Sequence, residues 1–206
     1  MVKKRKVLAL ISGGIDSPVA AYMFKEKGYE VLALHMSNEP FTDDTPERKS
    51  RAAIKHLGIK KLIIVNISEA LSSFSEKCDR TFYFVLQKRF MMRVAEAIAK
   101  KENCEFIVTG ESLAQVSSQT LTNLATIEDA IEIPIVRPLI GLDKQTIIDI
   151  AEKIGTFRIS KGPEFCDVLG LKKGVKTAAK LEDVKSEEKK VDVSKLLRAV
   201  LASVFS

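Results

Sequence analysis

Six residues near the start of the chain bring together groups that handle phosphate: Ser12, Gly13, Gly14, Ile15, Asp16 and Ser17, reading SGGIDS. Glycines allow positive φ and close backbone approach to a ligand. Two serine hydroxyls supply donors, and a helix beginning just after them would add its N-terminal amides and dipole. An acid beside an anion makes sense if a Mg²⁺ ion lies between them or if it orients a reacting group. The loop is neither G-x-x-x-x-G-K-[ST] nor G-x-G-x-x-G, so a P-loop NTPase and a dinucleotide fingerprint are both excluded. A second candidate is Lys144. It follows a cap-like Asp143, and a cation in a helix's first turn opposes the dipole unless it faces an anion. The third is Cys166, in PEFCDVL (163–169), with Lys161 near enough in sequence to favour a thiolate. Taken alone, a lone cysteine reads more readily as a small buried hydrophobe.

The elements that must position these groups follow from hydrophobic patterning. VLALI (7–11), EVLALHM (30–36), KLIIVNI (61–67) and EFIVTG (105–110) are near-continuous apolar runs, as parallel strands covered on both faces require. Helical patterns alternate with them: one from Ser17 and Pro18 to Gly28, TPERKSRAAIKHLG up to Gly58, a long one over roughly 77–101, and LDKQTIIDIAEKIG from Asp143 to Gly155. This alternation predicts an α/β fold, a doubly wound parallel sheet of Rossmann-like type. In such sheets ligands sit outside the carboxyl ends of the strands, so SGGIDS, HMSNEP and TGESLAQVSSQ are expected on one rim. Residues 1–170 read as one catalytic domain, and 171–206 as a charged helical extension packing on it.

The chain has 206 residues, 46% hydrophobic and 29% charged, and a net charge of +6. That is compatible with a polyanionic partner such as RNA and equally with a well-solvated surface. No apolar run approaches the roughly 20 residues of a membrane span, and the short apolar stretch after MVKKRK leads into glycines rather than a cleavage site, so a cytoplasmic protein is expected. The three cysteines, Cys78, Cys104 and Cys166, contain no C-x-x-C pair, so no protein-held metal or cluster is expected.

The SGG-x-DS loop resembles that of the PP-loop ATP pyrophosphatases. TGESLAQVSSQTLTNL (109–124), RPLIGLDKQTIIDIAEKIGT (137–156), PEFCDVL and the helix bearing KRFMMRVAE (88–96) resemble, more narrowly, the catalytic domain of the tRNA 4-thiouridine synthetases, also called thiamine-biosynthesis sulfurtransferases. The likeness runs from about residue 5 to at least 180. It implies that Mg·ATP is split between its α and β phosphates to adenylate a uridine of tRNA, whose C4 oxygen is then replaced by sulfur. Asp16, Lys144 and Cys166 would be the catalytic residues, with Cys166 in sulfur transfer. Leu10, Ile11, Ser12, Gly13, Gly14, Ser17, His35, Met36, Lys88, Arg89, Gly110 and Gln119 would bind ATP. No THUMP or rhodanese region stands in this sequence. RNA capture is therefore expected to need a separate RNA-binding domain or protein, and sulfur to come from a persulfide protein or as sulfide. The alternatives are a nucleotide-binding subunit of a split tRNA-thiolation complex, and an adenylating enzyme acting on a small molecule or thiamine precursor. A homodimer is compatible with all three.

Overall fold

The computed structural model describes residues 4–113, 119–162, 169–171 and 174–205. Five parallel strands form one sheet: β1 (Lys6–Leu10), β2 (Glu30–Ser37), β3 (Lys61–Asn66), β4 (Ile107–Val108) and β5 (Ile135–Val136). Their order is β3-β2-β1-β4-β5. The direction of winding reverses between β1 and β4, which is where a doubly wound sheet opens a crevice for a ligand. Helices α1 (Asp16–Glu26), α2 (Thr45–His56), α3 (Ser68–Lys77), α4 (Tyr83–Glu102), α5 (Leu121–Glu128), α6 (Lys144–Lys153), α7 (Phe157–Ser160), α8 (Leu181–Glu188) and α9 (Val193–Phe205) cover both faces.

Side-chain alternation along the strands divides the core. Val7, Ala9, Val31 and Ala33 pack with α1, α2 and α6 on one face. Leu8, Leu32, Leu34 and Val65 pack with α3, α4, α8 and α9 on the other. Each strand is therefore apolar at nearly every position, the pattern that made them legible.

Three elements differ from the sequence reading. The helical pattern expected over 77–101 starts later: Lys77 is the last residue of α3, a separate helix that the patterning did not show, a 3₁₀ turn spans Arg80–Phe82, and α4 runs from Tyr83 to Glu102. The break falls at Asp79, whose side chain accepts from the Thr81 amide and starts a new cap. Ser17 is not the cap of α1; Ile15 holds that position without a side-chain hydrogen bond, and Ser17 lies within the first turn. β5 went unread because its two residues lie close after Pro134 in a stretch too short for periodicity.

The charged tail is more firmly held than its composition suggests. Arg89, 1% exposed at the middle of α4, donates from Nε to Glu188 of α8 at 2.9 Å and from Nη2 at 3.2 Å. Arg93, one turn on, pairs with the same carboxylate at 2.7 and 3.0 Å. Burial pushes the Glu188 carboxyl up, and the two guanidiniums outweigh that and hold it below the usual carboxylate range.

Candidate functional site

A cleft of about 730 Å³ opens at the carboxyl ends of β1, β2 and β4. Its floor is the segment 12–17. The Ser12 amide donates to the Ser17 hydroxyl at 3.0 Å, the two hydroxyls lie 3.3 Å apart, and the Gly14 amide reaches Ser12 Oγ at 3.4 Å. The loop is thus closed on itself by its own serines, while the first turn of α1 has no side-chain cap. Amides left uncapped at a helix N-terminus are the groups an anion engages.

Gly13 has φ +80°, and a Cβ there would stand 2.7 Å from the Pro46 carbonyl oxygen. Gly110, at the end of β4, is tighter for a different reason. A Cβ on it would lie 2.8 Å from both N and Cα of Ser17, on the backbone of the loop itself. Gly110→Ala is therefore expected to displace the 12–17 segment. Thermal denaturation should show a loss of about 1–3 kcal/mol, as for other over-packed positions.

Asp16 and Lys144 meet across the floor, with Nζ 2.6 Å from Oδ1. They come from α1 and α6, 128 residues apart in sequence. Asp143 caps α6 as expected, accepting from the Thr146 amide at 2.9 Å, and this sets the first turn that carries Lys144. Among the described residues no three His, Cys, Asp or Glu side chains stand together to enclose a metal ion. Asp16 fits a Mg²⁺ that takes its other ligands from phosphate oxygens and water, the usual coordination of that ion beside a nucleotide.

The β2 end supplies a second wall. His35 is 3% exposed, and its Nδ1 lies 2.8 Å from the Ile11 carbonyl and 3.0 Å from Ser50 Oγ. A carbonyl only accepts, so Nδ1 carries the proton and the neutral ring keeps its lone pair on Nε2. Burial pushes the His35 pKa down, which favours that neutral form. Leu10, Ile11, Met36 and Gln119 line the same cleft. Gln119 Oε1 is buried without a hydrogen-bond partner, an acceptor in want of a donor.

Lys88 lines the cleft, and Arg89 does not. The expectation that Arg89 binds the nucleotide is corrected here. Successive helical residues point about 100° apart, so when Lys88 faces the cleft Arg89 faces the core, where Glu188, Asp129 and the Thr126 carbonyl hold it. The aim of Lys88 is set by a residue the sequence reading passed over. Glu111, 3% exposed, accepts from Lys88 Nζ at 3.2 Å, from Arg137 Nε at 2.9 Å and from the Thr109 hydroxyl at 3.1 Å. Burial would raise its pKa, but Lys88 and Arg137 more than offset this and keep it low. The only signal for Glu111 was its place directly after Gly110 at a strand end.

Cys166, with Pro163 and Glu164, lies outside the described residues. The chain on either side is described and tied down. Before it, Lys49 donates to the Ser160 carbonyl at 3.2 Å; after it, Arg80 Nη2 donates to the Leu169 carbonyl at 2.8 Å. Among the described residues, no helix is long and apolar enough to cross a membrane.

Comparison with known proteins converges on one family. Residues 2–193 match the family model described as thiamine biosynthesis protein (ThiI). A probable tRNA sulfurtransferase of Alkaliphilus oremlandii is 40% identical over 204 residues, covering 97% of this chain and 52% of the relative. One from Moorella thermoacetica is 39% identical over 202 residues, covering 96% and 52%. The chain thus spans about half the length of these curated relatives. Among solved structures, a 4-thiouridine synthetase–RNA complex with bound ATP superposes with a TM-score of 0.90 at 32% identity, over 97% of this chain and 54% of that one. An NMN synthetase from Francisella tularensis, at TM-score 0.62 and 17% identity over 99% of this chain and 86% of that one, shares the fold.

Proposed function

Because the chain belongs to the thiamine biosynthesis protein (ThiI) family, we propose that it is the ATP-using catalytic part of a tRNA sulfurtransferase that makes 4-thiouridine. The observation that carries this reading is the Asp16–Lys144 pair, set at 2.6 Å over an uncapped helix N-terminus and a glycine-rich loop.

In this reading the 12–17 segment holds the β and γ phosphates. Asp16 would hold Mg²⁺, which shields the charge of the phosphate oxygens. Lys144 leans over the same floor and stabilises negative charge as it grows at the α-phosphorus. The C4 oxygen of the uridine attacks that phosphorus, and pyrophosphate leaves. The N3 proton of the base is lost as C4 becomes an imidate carbon. The terminal sulfur of a persulfide on Cys166 then attacks C4 and AMP leaves, giving a disulfide between C4 and Cys166. An external thiol attacks the Cys166 sulfur, the S–S electron pair leaves with the C4 sulfur as 4-thiouridine, and a second thiol reduces the mixed disulfide left on Cys166. Lys88, steered by Glu111, offers a second cation to the phosphates from the opposite wall. ATP in the related 4-thiouridine synthetase and the names of the relatives support this assignment.

The test is incubation with unmodified tRNA, ATP, Mg²⁺, a persulfide donor and a thiol reductant, followed by nucleoside analysis of the RNA. The expected result is thiolated uridine formed in step with AMP. AMP release that needs a small molecule and ignores tRNA would replace this reading with that of a metabolite-adenylating enzyme. Nucleotide binding without turnover until an RNA-binding partner is added would point to one subunit of a split complex.

A further inference from the structure

The positive charge of this chain is concentrated in one place. Of its 33 basic and 27 acidic residues, 9 basic ones and no acid fall within residues 48–61 and 153–162. The rest of the chain holds the other 24 basic residues against all 27 acids, so these two stretches carry the whole positive excess. The fold lays them side by side. Lys49, near the start of α2, donates to the Ser160 carbonyl at 3.2 Å. His56, the last residue of α2, donates from Nε2 to the Ile154 carbonyl at 2.9 Å. The rise from Lys49 to His56 is about 10 Å. This seam starts at the cleft, which Lys49 lines, and runs away from it. Arg48, Arg51 and Lys61 are paired with Asp44, Glu47 and Glu102. Lys55, Lys153, Arg158 and Lys161 are exposed and form no ion pair among the described residues.

A face of this composition suits a phosphate backbone rather than a protein. Protein interfaces are built round aromatic or aliphatic anchors. The exposed large hydrophobics among the described residues, Leu113 and Leu121, belong to neither stretch. Long cations spread along a seam instead neutralise successive phosphates without reading bases. The charge also has a direction. Glu39, Asp43 and Glu47 line the cleft just before α2 and in its first turn. A polyanion approaching the cleft is repelled from that corner and drawn along the seam past Lys161. We propose that Lys55, Lys153, Arg158 and Lys161 form a track for the RNA backbone, leading the substrate strand to the cleft at Lys49. The catalytic part thereby has a hold on RNA of its own, apart from any separate RNA-binding domain. This rests on the tRNA sulfurtransferase reading for the identity of the RNA.

The experiment measures binding of unmodified tRNA by fluorescence anisotropy across a series of KCl concentrations. Each phosphate contact contributes about 0.7–0.9 to the slope of log affinity against log salt. Arg158→Gln combined with Lys161→Gln should lower affinity about tenfold or more at low salt and flatten that slope by about 1.5. Lys55→Gln with Lys153→Gln should act likewise, and decides the matter where the first pair disturbs folding. Lys25→Gln with Lys195→Gln removes equal charge from exposed sites on α1 and α9 and should leave affinity within about twofold. Affinity for a non-hydrolysable ATP analogue should be the same in all. An unaltered slope in both track pairs, an equal loss in the control pair, or no salt-dependent tRNA binding by the unmodified protein would overturn the proposal. Slower thiolation from a persulfide protein, with tRNA binding intact, would assign the face to that donor and overturn it equally. Track-dependent tRNA binding without thiolation would refute the sulfurtransferase reading and leave the track standing. Thiolation with tRNA binding unaltered in the track variants would do the reverse.

Discussion

Asp16→Ala should reduce ATP-dependent AMP release by on the order of 10²–10³-fold, the range lost when one preorganised charge-stabilising group is removed from a reacting centre. The loss should persist when free sulfide is supplied, because the step affected precedes any sulfur chemistry. The Asp16–Lys144 pair is partly exposed, with side-chain exposures of 20% and 43%, so its value to folding is small, about 0–1 kcal/mol. A melting temperature close to that of the unmodified protein should therefore accompany the kinetic collapse. Lys144→Ala should fall similarly, and the double variant should be little worse than either single one, since the two paired side chains serve one step in the proposed reaction. Rapid-quench measurement of AMP checks all three. Normal AMP release by Asp16→Ala would remove the catalytic role given to the phosphate loop.

Cys166→Ala should separate the two halves of the reaction. Thiolation from a persulfide donor should fall to background, while tRNA-dependent pyrophosphate release continues. The other two cysteines are poorly placed to substitute. Cys78 and Cys104 are each 8% exposed, and burial first of all pushes both thiols up to about 11. Cys78 is further engaged, donating to the Glu187 carbonyl at 3.3 Å. With pKa values so far above pH 8, both stay protonated there, and the thiol rather than the thiolate is a poor nucleophile. Alkylation of the native protein at pH 8, read by peptide mass spectrometry, should leave Cys78 and Cys104 unlabelled. Full thiolation by Cys166→Ala with a persulfide donor would shift the sulfur-carrying role elsewhere.

Much of this could be read from residue order alone, for identifiable reasons. Strands covered on both faces leave long apolar runs, and SGGIDS lies between one such run and an amphipathic helix. What stayed hidden depends on direction around a helix. Lys88 and Arg89 are adjacent cations, and nothing local says which faces the cleft. That is decided by Glu188, 99 residues away, which draws Arg89 inward. Glu111 was silent for a related reason, since a carboxylate in such a segment usually faces water. Its burial is a property of the assembled sheet. α3 escaped notice because SEALSSFSEK buries only Ala70, Leu71 and Phe74, too few positions for a clear stripe.

The Arg89–Glu188 pairing also bears on where this chain can be cut or joined. Sequence composition invites a boundary near residue 170, ahead of the charged tail. A cut there would take away Glu188 and leave a guanidinium, 1% exposed, inside apolar packing without its main counter-charge. Removing one partner of a buried pair costs about 3–5 kcal/mol, a large share of the stability of an ordinary domain. Fusions and truncations are better made beyond α9, because the segment that looks most dispensable holds the counter-ion for the middle of the longest helix.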